Sequence, residues 1–422
     1  MRGVVEVLYK KIEGCRICGN SQLDLILYLG EMALSGIFPK TKSEKVPTGP
    51  LTLVKCRETI PGDSCGLVQL KETYNPDLMY GQNYGYRSGL NKSMVDHLHS
   101  KVKRILDHVT LSLNDIVVDI GSNDSTLLQA YPKEQTALVG FDPTGEKFKK
   151  YYPDHITLFA DFFSAETFQR KFENKKAKII TSIAMLYDLE KPLEFVRDVY
   201  DILSEDGIWV FEQSYMPLML EVNSFDTICH EHLEYYRLKQ IQWMMKKVGF
   251  KIIDIEFNQV NGGSFSVTVA KLGSSLPETP DVAKLLRDEE SKGLSTNKPY
   301  DEFRNQVFEF KSSMRQLLDK IHNEKGLILG YGASTKGNVL LQFTGITSRD
   351  IPYIGEVNTD KFGCYTPGTL IPIISEEEAR KMNPDYFFVF PWHFKDFILQ
   401  KEKSSSNKKT SFIFPLPSTE IF

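Results

Sequence analysis

Four of the six cysteines fall within the first 65 residues. Cys15-Arg16-Ile17-Cys18 is a two-residue knuckle, and Cys56 and Cys65 supply a second pair with a wider spacing. Four thiolates complete the closed tetrahedral shell of a structural zinc and leave no position open for water or substrate. The second pair requires residues 57–64 to loop out. Two other readings stand beside zinc: a pair of disulfides, disfavoured in a cytosolic chain, and clustered free thiols.

A second constellation begins at Val117-Val118-Asp119-Ile120-Gly121-Ser122-Asn123-Asp124. It reads as an apolar strand ending in an acid and a glycine, with residues 125–130 expected to open a helix. Asp119, Gly121, Ser122 and Asn123 would meet a ligand at the carboxyl edge of a sheet, where backbone can approach closely. Gly140-Phe141-Asp142-Pro143 ends the next strand in a carboxylate suited to two ribose hydroxyls. Asp161 and Phe162 follow the third, an acid for an adenine amino group and a ring for its face. A lone glycine after a strand is ordinary packing, whereas ligand-type residues at three successive strand ends are not. One glycine in place of G-x-G-x-x-G argues against a pyrophosphate-bearing dinucleotide and for S-adenosylmethionine. Gln213, at another strand end, joins the same crevice.

Cys229-His230-Glu231-His232-Leu233-Glu234-Tyr235-Tyr236 concentrates two of the eight histidines with two acids and two phenols. The two-residue separation lacks His-Glu-x-x-His metal spacing. A base dyad is the chemical reading: one imidazole removes a proton beside a carbonyl while a neighbouring glutamate orients it. A solvated polar helix entry is the bland one.

Positioning these groups requires an α/β frame. A chain of 422 residues exceeds one ordinary core, and 41% hydrophobic with 25% charged residues describes a globular protein. No apolar run approaches the ~20 residues that span a bilayer, and residues 1–13 lack a secretory signal's apolar stretch, so the cytoplasm is expected. The net charge of −4 offers no broad footprint for nucleic acid. Residues 1–75 form a small module holding the cysteines. Residues 76–272 open with a helix over 93–106 and continue with strands at 116–120, 137–141, 156–160, 177–183, 208–213, 250–257 and 265–270, implying a parallel, doubly wound sheet. Residues 272–299 read as a surface crossing. Residues 273–422 contain a second α/β unit, with a helix at 300–323, strands at 326–331 and 351–356, and a final strand at 411–414 behind a Lys-Ser-rich loop.

Along nearly its whole length the chain resembles the sugar C-methyltransferases that make branched deoxysugars. The resemblance rests on six ordered motifs: the cysteine module ending in Cys65-Gly66-Leu67-Val68-Gln69-Leu70, Tyr84-Gly85-Tyr86-Arg87-Ser88, the cofactor loop, His230-Glu231-His232, Gly262-Gly263-Ser264, and Gly330-Tyr331-Gly332-Ala333-Ser334-Thr335-Lys336-Gly337-Asn338. It implies a zinc-binding module, a Rossmann-like S-adenosylmethionine domain and a C-terminal Rossmann-like domain that grips a nucleotide-sugar. His232 matches the family's favoured base, which removes the C3 proton of a nucleotide-linked 4-keto-6-deoxysugar carrying dTDP or GDP. Glu231 would hold the base or the sugar, His230 would contact the sugar, and Tyr84 or Tyr86 would approach the developing oxyanion. In the last domain Gly332, Ser334, Lys336 and Asn338 form a turn into a helix start suited to diphosphate oxygens, or a plain strand-to-helix turn. Asn358, Lys361 and the Phe390-Pro391-Trp392-His393-Phe394 run would complete the nucleotide pocket, although Trp392 reads equally as core. A monomer is expected. Two departures stand out: Ser125 occupies a family glycine, and Tyr187 stands where the family often carries histidine. The competing functions are O- or N-methylation of another small molecule, and a binding protein whose cofactor site Ser125 has impaired.

Overall fold

The computed structural model describes residues 7–58, 64–80, 85–133, 136–403 and 410–422. Its centre is a seven-stranded sheet. In spatial order the strands are Phe250–Asn258, Ser264–Lys271, Leu203–Ser214, Ala177–Ile183, Asp115–Ile120, Thr136–Phe141 and Ile156–Phe159. The five from Leu203–Ser214 onward run parallel, and the other two pair antiparallel at the far side. The expected all-parallel sheet is therefore mixed: Gly262 and Gly263 take positive φ of 88° and 117°, and the chain reverses from Phe250–Asn258 directly into Ser264–Lys271 without a crossover helix. The direction of chain progression reverses between Asp115–Ile120 and Ala177–Ile183, the switch point at which such a sheet opens a crevice.

Residues 125–130 do not open an α-helix. Gly121, Asn123 and Ser125 have φ of 77°, 50° and 65°, and alternating left-handed residues cannot propagate helical turns. Only a 3₁₀ turn, Leu128–Ala130, forms. The expected crossing at 272–299 contains a helix, Asp281–Ser291, whose Val282, Leu285 and Leu286 pack on the central domain. Its dense charge hides an apolar stripe at helical spacing.

The C-terminal sheet has six strands in the order Ile373–Ser375, Ile354–Glu356, Ile328–Tyr331, Tyr386–Val389, Ser411–Phe414 and Glu420–Ile421, parallel except at the last pair. The helix Lys298–Asn323 buries Tyr300, Phe303, Val307, Phe310, Met314, Leu318 and Ile321, a three-to-four-residue repeat that makes one apolar face. That face shares a core with Ile26, Leu27 and Leu29 of the N-terminal module. The cysteines meanwhile pack against Tyr236, Leu238 and Ile241 of the central domain. The module is thus wedged between the two larger units, and its antiparallel sheet runs Glu234–Tyr235, Val68–Leu70, Thr48–Cys56, Leu23–Ala33. One of its four strands, Glu234–Tyr235, comes from the middle of the chain, two residues after His232.

Candidate active site

The four cysteine Sγ atoms lie within 4.8 Å of one another. Cys15 and Cys65 are 3.4 Å apart, and Cys18 and Cys56 3.5 Å, far beyond the ~2.05 Å of a disulfide. A tetrahedron with ~2.3 Å Zn–S arms has edges of about 3.8 Å, which this cluster matches. Cys15, Cys18, Cys56 and Cys65 would hold the ion. Asn20 Nδ2 donates to Cys56 Sγ at 3.4 Å and Gln240 Nε2 to the Cys65 carbonyl at 2.7 Å, so both flanks of the cluster are braced.

At the switch point Asp119, Gly121 and Ser122 end one strand beside Asp142 at the end of the next. Asp119 is buried, accepts the Thr181 hydroxyl at 2.6 Å, and is pushed up to about 7 by burial, with the Asp142 charge adding to the rise. Asp142 accepts the Asn123 amide and the Thr144 amide, each at 2.7 Å, so the second strand end is tied to the first. Gly121 carries positive φ, and a Cβ there would press on Met185 at 3.2 Å. The Ser122 hydroxyl pairs with Tyr152 at 2.8 Å. Asn123 turns its carboxamide away from the crevice: Oδ1 accepts the Ser88 amide at 2.9 Å and Nδ2 donates to the Tyr86 carbonyl at 3.2 Å. That fastens the Tyr86 loop over the cofactor loop and leaves the Tyr86 ring 49% exposed. Tyr84 lies outside the described residues. Asp161 and Phe162 are exposed at the third strand end, where Asp161 Oδ1 accepts the Phe162 amide at 2.7 Å. Gln213 is buried at its strand end, and neither its Oε1 nor its Nε2 has a partner among the described residues. A buried amide without a partner suits a polar ligand, because buried donors and acceptors are otherwise paired.

The two histidines point to different places. His230 is buried in the N-terminal module, with its ring edge-on to Tyr74 at 4.8 Å and Nδ1 3.3 Å from the Ser35 hydroxyl. Its contacts are within the module, and its Nε2 has no hydrogen-bond partner among the described residues. His232 enters a hollow lined by Tyr187, Ser214, Met216, Met219, Thr227, Glu234 and Tyr235. Its Nδ1 is 2.8 Å from the Thr227 carbonyl, which can only accept, so Nδ1 carries the proton and Nε2 the lone pair. Burial lowers its pKa to about 4, and the Lys336 charge pushes the same way. The ring is therefore neutral at pH 7. Tyr187, the departure from the expected histidine, lies edge-on to it with centroids 4.6 Å apart. Glu231, expected to orient the base, makes no hydrogen bond to it: a Cβ on Gly36 would meet its Oε1 at 2.4 Å, and its Oε2 has no partner among the described residues. A backbone carbonyl orients His232 instead, and no side-chain motif could announce that.

The C-terminal turn divides in the same way. Gly332 takes φ of 79° against Pro391, and Ser334 caps the helix Thr335–Thr344 by accepting the Gly337 amide at 3.0 Å. The Ala333 amide, a natural phosphate donor, is occupied by Glu356 Oε2 at 2.8 Å. Asn338 is buried and donates to the Ser35 carbonyl at 2.7 Å, which makes it a strut between units and not a phosphate ligand. Lys361 donates to the Ala333 carbonyl at 2.7 Å, and Asn358 Nδ2 to the Gly85 carbonyl at 3.3 Å. Lys336 is half-buried, with its charge felt by His232, Asp226 and His393. Trp392 Nε1 donates to Asp226 Oδ2 at 2.8 Å, so this tryptophan is core with a polar tether. Nothing in the sequence marked Asp226; its place shows only once the two units are packed.

Residues 15–80 match the model of a zinc binding domain, 92–255 that of a methyltransferase domain, and 259–417 that of a C-methyltransferase C-terminal domain. The chain is 26% identical over 417 residues to the C-methyltransferase NovU of Streptomyces niveus, covering 98% of each chain. Among solved structures, the complex of the Haloferax volcanii Trm112 methyltransferase activator with a methyltransferase matches at TM-score 0.36 and 14% identity, over 43% of this chain and 94% of that one. The plantazolicin methyltransferase BpumL with SAH matches at TM-score 0.33 and 10% identity, over 41% and 82%. Likenesses of that size carry no weight for activity. The domain matches and the full-length relative support a methyltransferase that uses S-adenosylmethionine and contains a zinc-binding segment.

Proposed function

Because the domain matches and the full-length relative support a sugar C-methyltransferase family for this chain, we propose that it methylates C3 of a nucleotide-linked 4-keto-6-deoxysugar, with His232 as the base. The observation that carries the reading is the imidazole held by the Thr227 carbonyl, with its Nε2 lone pair available in a hollow beside the strand end bearing Gln213 and Ser214.

The C4 keto group acidifies the C3 proton, and Nε2 of His232 takes it. The charge spreads to O4 as an enolate, and C3 then attacks an electrophilic methyl group. S-adenosylmethionine, when bound, would supply that methyl from its sulfonium, the S–CH3 bond breaking as sulfur keeps the electron pair and leaves as a neutral thioether. Asp119, Gly121, Asp142 and Gln213 would hold the cofactor, with the Asp142 carboxylate reaching the ribose. The Tyr86 ring at the crevice mouth and the Lys336 ammonium near His232 provide the positive field and hydrogen-bond donor that an enolate oxygen requires. Lys361 and Asn358 would reach the nucleotide end by giving up their bonds to the Ala333 and Gly85 carbonyls.

The test is mass spectrometry of the protein incubated with S-adenosylmethionine and dTDP-, GDP- and CDP-linked 4-keto-6-deoxysugars, beside a His232→Ala control. A product heavier by one methylene unit that requires His232 is expected, and its nucleotide names the substrate. Cofactor binding with no product from any sugar would overturn the sugar reading in favour of another methyl acceptor.

A further inference from the structure

Arg16 lies between two of the zinc-ligating cysteines, yet its side chain points away from them and is only 2% exposed. Nη1 donates to the Leu70 carbonyl at 2.5 Å, and Nη2 to the Glu72 carbonyl at 3.0 Å and the Thr73 hydroxyl at 2.8 Å. Its backbone amide donates to Gln69 Oε1 at 3.1 Å. One residue of the knuckle thus grips four partners, Gln69, Leu70, Glu72 and Thr73. Leu70 in turn donates its amide to the Leu233 carbonyl at 2.9 Å, and Leu233 adjoins His232. From the other side the Leu233 amide donates to the Tyr187 carbonyl at 2.8 Å. The next residues pair as a strand, Glu234 opposite Gln69 and Tyr235 opposite Val68. Arg16 Nε faces Glu234 Oε1 at 3.6 Å, and the Glu234 side chain is fully buried. Neither that Nε nor either Glu234 oxygen has a hydrogen-bond partner among the described residues, so each relies on the other.

A structural zinc needs no such reach. Stabilising a small module requires only that four thiolates close on the ion. Here the knuckle residue places its planar fork on Leu70, the neighbour of the base segment, and on Glu72 and Thr73 beyond it, while Nε faces Glu234, a geometry that lysine, with one charged centre, cannot reproduce. We infer that Arg16 is a positioning residue that transmits the fold of the zinc knuckle through Leu70 and Leu233 to His232, so that the metal module sets the placement of the base. The inference rests on the reading of His232 as that base.

The test uses the full chain as wild type, Arg16→Lys and Glu234→Gln. Zinc content, S-adenosylmethionine affinity, the ¹⁵N signals of the His232 ring (assigned with His232→Ala), and deuterium exchange at the acidic carbon of a 4-keto sugar without cofactor are measured in each. Arg16→Lys should retain zinc and bind cofactor within about threefold of wild type. Its His232 signals should leave the Nδ1-protonated tautomer, and kcat and deuterium exchange should fall together by roughly tenfold to hundredfold, the range expected when a reacting group is displaced by about 1 Å. KM should change much less. Glu234→Gln should move the same signals in the same direction, and it decides the matter if Arg16→Lys does not fold. His232 signals that stay in place in the folded, zinc-loaded variants would overturn the inference. If the wild type turns over no sugar, the functional reading fails, while the ¹⁵N comparison still decides whether Arg16 places the ring.

Discussion

Replacing Ser125 with glycine and with alanine sets two opposing effects against each other at one buried position. Its φ of 65° lies in the left-handed region, where a side chain costs about 1–2 kcal/mol that glycine does not. Its hydroxyl opposes that cost, donating to the Tyr151 carbonyl at 3.2 Å and accepting from Gln129 Nε2 at 2.9 Å. Two such bonds contribute about 1–3 kcal/mol together, since each is worth about 0.5–1.5 net. Deleting the hydroxyl strands no partner, because Gln129 Nε2 also reaches the Tyr151 carbonyl at 3.2 Å. Alanine keeps the strain and loses both bonds, so Ser125→Ala should destabilise by about 1–3 kcal/mol. Glycine sheds the strain but loses the bonds and gains unfolded-state freedom worth about 0.5–1 kcal/mol, so Ser125→Gly should be at most about 0.5 kcal/mol more stable than wild type and up to about 3 less. Urea unfolding measures both. Because the hydroxyl faces Tyr151 and Gln129, S-adenosylmethionine affinity by calorimetry should change by less than about 1 kcal/mol in either variant. An alanine variant as stable as wild type, or a glycine variant more stable by over about 1 kcal/mol, would refute the compensation. A large gain in cofactor affinity for glycine would mean that serine does impair the site.

His232 acts as a base only when unprotonated, and its pKa of about 4 extends that form to lower pH. On the proposed mechanism kcat/KM should stay level from about pH 8 to about pH 5 and drop only beyond; an acid limb near about 6.5 would show that the ring is not desolvated in the free enzyme. The side chains of Arg237 and Lys55 are 1% and 2% exposed and share Glu58, at 2.6 and 4.0 Å. Glu58→Ala should therefore cost about 3–5 kcal/mol in denaturant unfolding, and a loss under about 1 would mean that water reaches these cations. Trp392→Phe removes the 2.8 Å bond to the buried Asp226 carboxylate, leaving Ser224 at 2.9 Å, and should cost about 1.5–3 kcal/mol; an unchanged thermal midpoint would contradict this. Cys18→Ser should abolish stoichiometric zinc and speed amide exchange at 68–70 together with 233–235, and slow exchange at 233–235 in that variant would separate the base segment from the metal module.

Much of the frame is legible in the chain because it is local. Alternation of period two and the breakers between segments depend on neighbours, and the strands at 177–183 and 411–414 fall where the pattern predicts. Errors arise where a local pattern is masked or overridden. Charges hide the apolar stripe of Asp281–Ser291, and positive φ at Asn123 and Ser125 breaks a helix that composition would allow. Within the site, the acids at strand ends reach the crevice because the sheet's own geometry puts them there.

The sequence by itself determined that four thiolates cluster at one end, that a glycine-poor acidic loop follows the first strand of a doubly wound sheet, and that two histidines and two acids share one short segment. Which histidine meets the hollow was decided by tertiary structure. His230 and His232 offer the same imidazole within one motif and only the resemblance singles out His232; pairing of Glu234 with Gln69 sends His230 into the module and leaves His232 beside Tyr187. The same holds for Asn338, whose position suggests a phosphate and whose partner, Ser35, lies 303 residues away. Spacing along a chain fixes what a residue can offer to its neighbours within a turn or a strand. The partner that uses the offer is chosen by packing between units, where burial makes an unpaired polar group costly and so compels distant residues to meet.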